Sequence, residues 1–443
     1  MTPIESLCIV GIIFLIVLLS GHPLAFTLGG LSVLFAATLW GNTSALNLFM
    51  RTTIGISTNI VYVSVPLFIF MGTILERSGA AEDLFESMYL IFGRIRGGLA
   101  IATVVICTLL AAASGIIGAS LTLMTMLALP TMMKYKYDMS LATGTIMASG
   151  CLGTIIPPSI ILVIYGAQAQ ISIGKLFAAG FGPGLLLASL YLSYIILKVI
   201  FKPDSAPAID PRELAKYSTQ QKLVIVIKSM VPTLSLIFLV LGSITFGAAT
   251  PTEAAALGCV GAFVIAVMNR RFNWAMVKEC CYLTMRTNAM IMWIILGASM
   301  FTSVFLGLGG GDMMTELVNS LEVNRWLVLF FILFLLLIMG MFIDSYGVLL
   351  IGIPVFTPIT NALGFDPLWF ALMFAVMIQA SYLSPPFAYA VFYVKGVSKE
   401  TGIDIPIGQL YKATFTFLGL QMLAIVLLCF FPGIITWLPG KMF

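Results

Sequence analysis

Charge is what this 443-residue sequence has least of: 9% of its residues are Asp, Glu, Lys or Arg, and there is 1 histidine. With 60% of the chain hydrophobic, so few ions cannot solvate a set of water-soluble domains, and that class is excluded. The 22 basic and 18 acidic residues leave a net charge of only +4, and they sit in short clusters between apolar runs, which excludes a nucleic-acid-binding stripe and nucleic-acid partners. The 7 cysteines contain no CxxC and have no histidine-rich segment beside them, so neither a disulfide framework nor a zinc site is expected. HExxH and GxSxG are also missing. Ser114 within Ala113-Ser114-Gly115 lacks a base in reach, His22 being placed at a membrane surface, so the chain is not read as an enzyme. The first apolar run, from Ile4, has no basic leader and no small-residue cleavage site; it reads as a retained membrane helix rather than a signal peptide.

Long apolar runs are what is there. A helix needs about 20 mostly apolar residues to span a bilayer, and runs of that kind occupy 4–20, 23–40, 56–76, 174–197, 223–245, 250–268, 285–306 and 410–431. Four further stretches are interrupted midway. Residues 98–133 carry Ser114-Gly115-Ile116-Ile117-Gly118-Ala119-Ser120, and 326–361 carry Gly340 to Gly347 with Asp344 inside it. Residues 140–166 and 367–394 carry Pro157-Pro158 and Pro385-Pro386. A Pro-Pro pair removes two backbone donors and turns the preceding residue away from helix, so neither stretch is expected to be one straight rod. At membrane depth the freed backbone groups must face protein or a polar cavity, because lipid cannot satisfy them.

The interruptions recur at one spacing. An offset of 228 carries Pro157-Pro158 onto Pro385-Pro386, Pro23 onto Pro251, Pro130 onto Pro358 and Asp138 onto Asp366. The fold class this implies is an all-α polytopic membrane protein of two repeats, residues 1–200 and 223–443, joined by a cytoplasmic linker at 201–222. If 98–133 and 326–361 are re-entrant hairpins, each repeat has five crossings and the two are inverted. Fifteen of the 22 basic residues then fall on one face, which the positive-inside rule makes cytoplasmic, with both termini periplasmic. Amphipathic stretches at Ala80 to Ile95 and Gly311 to Trp326 precede the hairpins and are expected to lie flat at the interface as bracing arms.

Two hairpin tips facing two broken helices would gather carbonyls, hydroxyls and helix ends at the midplane, an environment suited to a small hard cation and an anionic solute. Sodium is expected near Ser114, Ser120, Gly153, Thr154 and Pro157 in one half and near Asp344, Ser345, Ser381 and Ser384 in the other; Ser120, Ser159 and Tyr346 are the candidates for touching the solute. Sodium is preferred to protons because Asp344 is the one acid at a hairpin tip and has no histidine near it. A net charge moved through 100 mV supplies roughly 2.3 kcal/mol, so excess sodium would add an electrical drive. Asp344 reads equally as a helix cap, and Glu253, in Thr250-Pro251-Thr252-Glu253, reads better as a capping box than as a coupling carboxylate.

These motifs, with Val65-Pro66-Leu67-Phe68-Ile69-Phe70-Met71-Gly72 and Ala249-Thr250-Pro251-Thr252-Glu253-Ala254-Ala255-Ala256, resemble the large membrane subunit of tripartite ATP-independent periplasmic (TRAP) transporters over essentially the whole chain. The resemblance implies an elevator-type, sodium-coupled importer in a bacterial cytoplasmic (inner) membrane. It also implies a small membrane subunit and a periplasmic binding protein that delivers an organic acid such as a C4-dicarboxylate or sialic acid. No cofactor is implied beyond the coupling ions. The sequence departs from the family pattern at Ser381-Tyr382-Leu383-Ser384, where a Gly-Thr-like segment is expected before Pro-Pro. The alternative is a stand-alone sodium/organic anion symporter or exchanger.

Overall fold

The structure, a computed structural model, describes residues 9, 11–14, 16–17, 21–114, 117–215, 217–320 and 323–443. Much of the first expected crossing, hairpin residues 115 and 116, and the side chain of Ser114 therefore lie outside the described residues. All regular structure among the described residues is helical, and nine helices there have the length and hydropathy to cross a bilayer. The protein is a multi-pass membrane protein.

Two groups of helices pack chiefly among themselves. In the first, α1 (Leu24–Trp40) runs against α2 (Asn42–Thr58), and α3 (Ser64–Arg77) follows after a single tight turn at Ile60–Val63. The amphipathic α4 (Ala80–Phe92) comes next. The second group contributes α5 (Gly98–Ser114) and α6 (Ile117–Lys134), the two arms of the first hairpin, then α7 (Met139–Gly150), α8 (Ile160–Ala169) and the 29-residue α9 (Ile173–Phe201).

Beyond α9 the chain gives α10 (Thr219–Ile237), α11 (Pro251–Met268), the 34-residue α12 (Trp274–Gly307) and the amphipathic α13 (Gly310–Ser320). The second hairpin follows as α14 (Arg325–Phe342) and α15 (Ser345–Ala362), then α16 (Pro367–Ser381), α17 (Tyr389–Glu400), α18 (Ile407–Phe430) and the terminal α19 (Gly433–Met442). Helices α1, α2, α3, α11 and α12 form a frame, with α12 lying along α1 and α3 and with α11 on α3. The hairpins and α7 to α9 and α16 to α18 form a second body, in which α18 packs along α7, α9 and α16. The bodies meet where α3 touches α5 and where α12 touches α15.

Local chemistry explains the helix starts. Asp138 and Asp366, matched by the 228-residue offset, cap α7 and α16: their carboxylates accept from Leu141 N at 2.8 Å and Trp369 N at 2.7 Å. These caps use up orphan amides at the first turn of each broken helix. Thr250 and Glu253 form the reciprocal capping box that their spacing predicts, with Pro251 at the first helical position.

Two elements differ from the sequence reading. The polar segment Asn42–Thr58 is a full helix, although only Ala45 among its residues is buried. The helix expected at 285–306 starts eleven residues earlier, at Trp274, where Asn273 caps it by accepting from Met276 N at 2.8 Å. At 1.5 Å per residue α12 is about 51 Å long, more than the hydrocarbon core alone requires.

Candidate functional site

Both proline pairs interrupt their helices. α7 ends at Gly150, one tight turn covers Cys151–Thr154, and α8 starts only after Ser159. In the other half α16 ends at Ser381 and α17 begins at Tyr389. Each break leaves helix-end carbonyls and amides without partners in their own helix. The hairpins supply similar ends: α14 stops at Phe342 and α15 resumes at Ser345 behind Asp344, whose carboxylate caps it by accepting from Tyr346 N at 3.1 Å.

Close backbone approach holds the first break in place. A methyl group on Gly180 of α9 would lie 2.5 Å from the Ile155 carbonyl oxygen, and one on Gly184 would lie 2.4 Å from Ile156 Cγ1. The bare face of α9 thus admits the irregular chain where any side chain would displace it. In the second half, a methyl on Gly340 would lie 2.2 Å from Ser381 Oγ, so the hairpin arm α14 rests directly on the end of α16.

Between the two bodies lies a cavity of about 400 Å³. Hairpin one contributes Ile117, Gly118, Ala119 and Thr122; hairpin two contributes Asp344, Ser345 and Tyr346. The breaks bring Thr154, Tyr382, Tyr389 and Tyr393, and the frame closes the far side with Thr73, Glu76 and Arg77 of α3 and Leu283, Thr287 and Met290 of α12. A second cavity of about 390 Å³ shares Glu76, Arg77 and Thr122 with the first and continues it past Gly79 to Glu82 and Arg271. Asp344 is exposed to this interior space despite its depth in the fold, while Arg77 is held by Glu279 at 2.6 Å.

Of the residues singled out in the sequence, the structure brings Thr154, Asp344, Ser345 and Tyr346 together around this cavity. Gly153, Pro157, Ser120, Ser381 and Ser384 are buried behind its lining. The Ser381 hydroxyl donates to Ile378 O at 2.7 Å and the Ser384 hydroxyl to Ala380 O at 3.0 Å. Ser159 is fully buried and turned to the backbone: it donates to Thr154 O and accepts from Leu162 N at 3.4 Å, capping α8. Ser114, by its side chain, falls outside the described residues.

Sequence reasoning missed the frame side of the cavity and Tyr382, Tyr389 and Tyr393. It also missed Gln379, fully buried on α16, whose Oε1 accepts from the Thr154 hydroxyl at 3.3 Å across the two halves. The Thr154 hydroxyl lies 2.9 Å from Cys151 O as well, so one proton serves two acceptors, and Gln379 Nε2 has no partner. Gln379 stands 228 residues after Cys151, at the end of a helix about to break, which is the signal that points to it.

The sequence profile of the family described as tripartite ATP-independent periplasmic transporter, DctM component, matches residues 11–434. The chain belongs to this family. It is 30% identical over 385 residues, covering 87% of each chain, to the C4-dicarboxylate TRAP transporter large permease protein DctM of Pseudomonas aeruginosa. It is 28% identical to the sialic acid TRAP transporter large permease protein SiaM of Vibrio cholerae, covering 95% of this chain and 96% of that one. The isethionate TRAP transporter permease protein DctMQ of Oleidesulfovibrio alaskensis is 28% identical over 85% of this chain but only 58% of its own length.

The fold is similar to two solved transporters. For YdaH of Alcanivorax borkumensis the TM-score is 0.65 at 15% identity, covering 93% of this chain and 97% of that one. For MtrF of Neisseria gonorrhoeae it is 0.61 at 14% identity, covering 89% and 84%. This DctM-family chain is a transporter permease and not an enzyme.

Proposed function

We propose that this chain is the translocation subunit of a sodium-coupled importer of an organic acid that a periplasmic binding protein delivers, working by an elevator mechanism. The observation that carries the reading is the cavity in which both hairpins and both broken helices meet the frame. In this reading residues 1–200 and 223–443 are inverted repeats of five crossings and one hairpin each, joined by the linker 201–222, with both termini periplasmic. The hairpins and broken helices are the moving body, α1, α2, α3, α11 and α12 the stationary frame, and α4 and α13 the arms that tether the hairpins. The path from the cavity past Gly79 to Arg271 leads to the face that the basic residues make cytoplasmic, which suits an inward-facing arrangement.

Sodium sits at two sites, one among Ser114, Ser120, Gly153, Thr154 and Pro157 and the other among Asp344, Ser345, Ser381 and Ser384, with backbone carbonyls supplying much of each shell. The solute lies between them, with Tyr346 in contact and Ser120 and Ser159 beside it, the latter holding the Thr154 carbonyl through its hydroxyl. A small membrane subunit completes the assembly, a reading supported by a relative named as a DctMQ permease in which this chain matches just over half the length. The test is reconstitution in liposomes. Uptake that needs an inward sodium gradient, the small subunit and the binding protein together is the expected result; uptake by this chain and sodium alone would make it a stand-alone symporter.

A further inference from the structure

A depression of about 470 Å³ lies where the α3–α4 turn, α10 and the turn after α11 meet. Three cations line it: Lys228 from α10, and Arg270 and Arg271 from the turn. All three side chains are exposed, and among the described residues none of them has an ion pair or a hydrogen-bond partner. The acid in the lining is Asp83, and its carboxylate already accepts from the Asn269 side chain at 3.0 Å. The same Asn269 amide donates to Ser78 O at 3.1 Å, so one side chain joins the two turns that border the depression.

The fold does not need these cations where they stand. The amides of Asn269, Arg270 and Arg271 donate to Ile265 O, Val267 O and Ala266 O at 2.9, 3.0 and 3.0 Å, so the turn itself satisfies the last carbonyls of α11 and no guanidinium is required to cap them. Arg270 has a φ of +55°, in the left-handed region where glycine is the usual residue past a helix end. A side chain is thus kept at a strained position. Arg271 lies across the α3–α4 turn, since a methyl on Gly79 would sit 3.4 Å from its Nε. Three positive charges against one engaged carboxylate repel one another unless an anion lies among them.

We infer that this corner binds the phosphate of an anionic phospholipid, whose acyl chains lie along α10 and α11. The apolar surroundings decide for a lipid over a soluble phosphate. Met268 lines the depression and is exposed; Val231, one turn beyond Lys228 on α10, and Val264 and Val267, just before the turn on α11, are exposed as well. Trp274, three residues after Arg271, is 79% exposed, as a tryptophan at the membrane–water boundary is. These side chains put the cations at headgroup depth with an apolar track beside them. A phosphodiester offers oxygens that two guanidiniums and an ammonium can share. A zwitterionic headgroup brings an ammonium of its own, which three cations disfavour. Arg271 also lines the passage that continues the central cavity, so a bound headgroup fixes the side chain standing between that passage and the lipid.

The test is native mass spectrometry of the full-length chain, titrated separately with dioleoylphosphatidylglycerol, dioleoylphosphatidylcholine and glycerol 3-phosphate. The first phosphatidylglycerol is expected to bind at least about tenfold tighter than either of the others. At about fivefold for each charge, Arg270→Gln with Arg271→Gln should weaken that first binding about twenty-fivefold and Lys228→Gln about fivefold. Arg94→Gln with Arg96→Gln removes two exposed arginines outside the depression, between α4 and α5, and should change it less than about twofold. Phosphatidylcholine binding as tightly as phosphatidylglycerol, or equal losses in the two double variants, would reduce the corner to a diffuse basic surface and overturn the inference. Glycerol 3-phosphate binding as tightly as phosphatidylglycerol, and lost in the Arg270 and Arg271 double variant, would put a soluble phosphate there and overturn the lipid.

Discussion

Thr154 shows how much one side chain carries here, since its hydroxyl stands at the first break, lines the cavity and reaches Gln379 of the other half. Thr154→Val keeps the shape and removes that hydroxyl. The expected outcome is a rise of about fivefold in the sodium concentration giving half-maximal uptake, at constant ionic strength, because one hydrogen bond or ligand is worth about 1 kcal/mol. An unchanged sodium dependence would remove Thr154 from the ion site. Outside the membrane, Asp404 is held below the usual carboxylate range first by its hydrogen bond to Lys395 and then by that ammonium's charge. Its folded value lies below its unfolded one, so the contact adds stability above about pH 4 and loses it as the pH falls through the folded value. Thermal unfolding of Asp404→Asn is therefore expected to fall below that of the unaltered protein at neutral pH and to converge with it in acid. Single residues were the least legible scale. Thr154, Asp344, Ser345 and Tyr346 could be picked out because they flank an interruption; Arg77 and Glu279 meet across 202 positions, and nothing in either segment announces the other.

Whole elements were easier to read where hydropathy and proline agree. Pro157-Pro158 and Pro385-Pro386 removed donors from apolar runs, and the helices do stop there. Asn42–Thr58 was invisible for the opposite reason: Asn42, Thr43, Ser44, Arg51 and Thr52 dilute its apolar signal, and it is helical while packed against α1 and α12 on one side only. The seat of the first break gives a test at this scale. Gly180→Ala must push the Ile155 carbonyl, which belongs to backbone, and is expected to destabilise the protein by about 1–3 kcal/mol, seen as a lower thermal unfolding temperature. Gly419→Ala, on α18 with nothing within 4 Å, is the matched control and should unfold no earlier than the unaltered protein. Equal effects at the two positions would mean that α9 does not hold the break.

At the scale of the molecule, the proposed elevator mechanism requires the two bodies that share the cavity to move relative to each other. Spin labels at Glu400, exposed at the end of α17, and Lys278, exposed on α12, are expected to report two distance populations whose ratio shifts with sodium. One fixed distance under all conditions would contradict a sliding body. The helix interruptions were visible in sequence because they are patterns of proline and glycine; the grouping of the helices into two packed bodies was not, because it is written in which helices touch.

The most direct test of paired breaks forming an ion site is the rise in thermal unfolding temperature on replacing potassium chloride with sodium chloride at equal concentration. Ligand at about 100 times its dissociation constant stabilises by about 2.7 kcal/mol per site. The unaltered chain should show the rise, Thr154→Val and Ser345→Ala should each lose part of it, and the double variant should lose all of it. A sodium effect no larger than that of potassium, or one that survives intact in the double variant, would contradict the account.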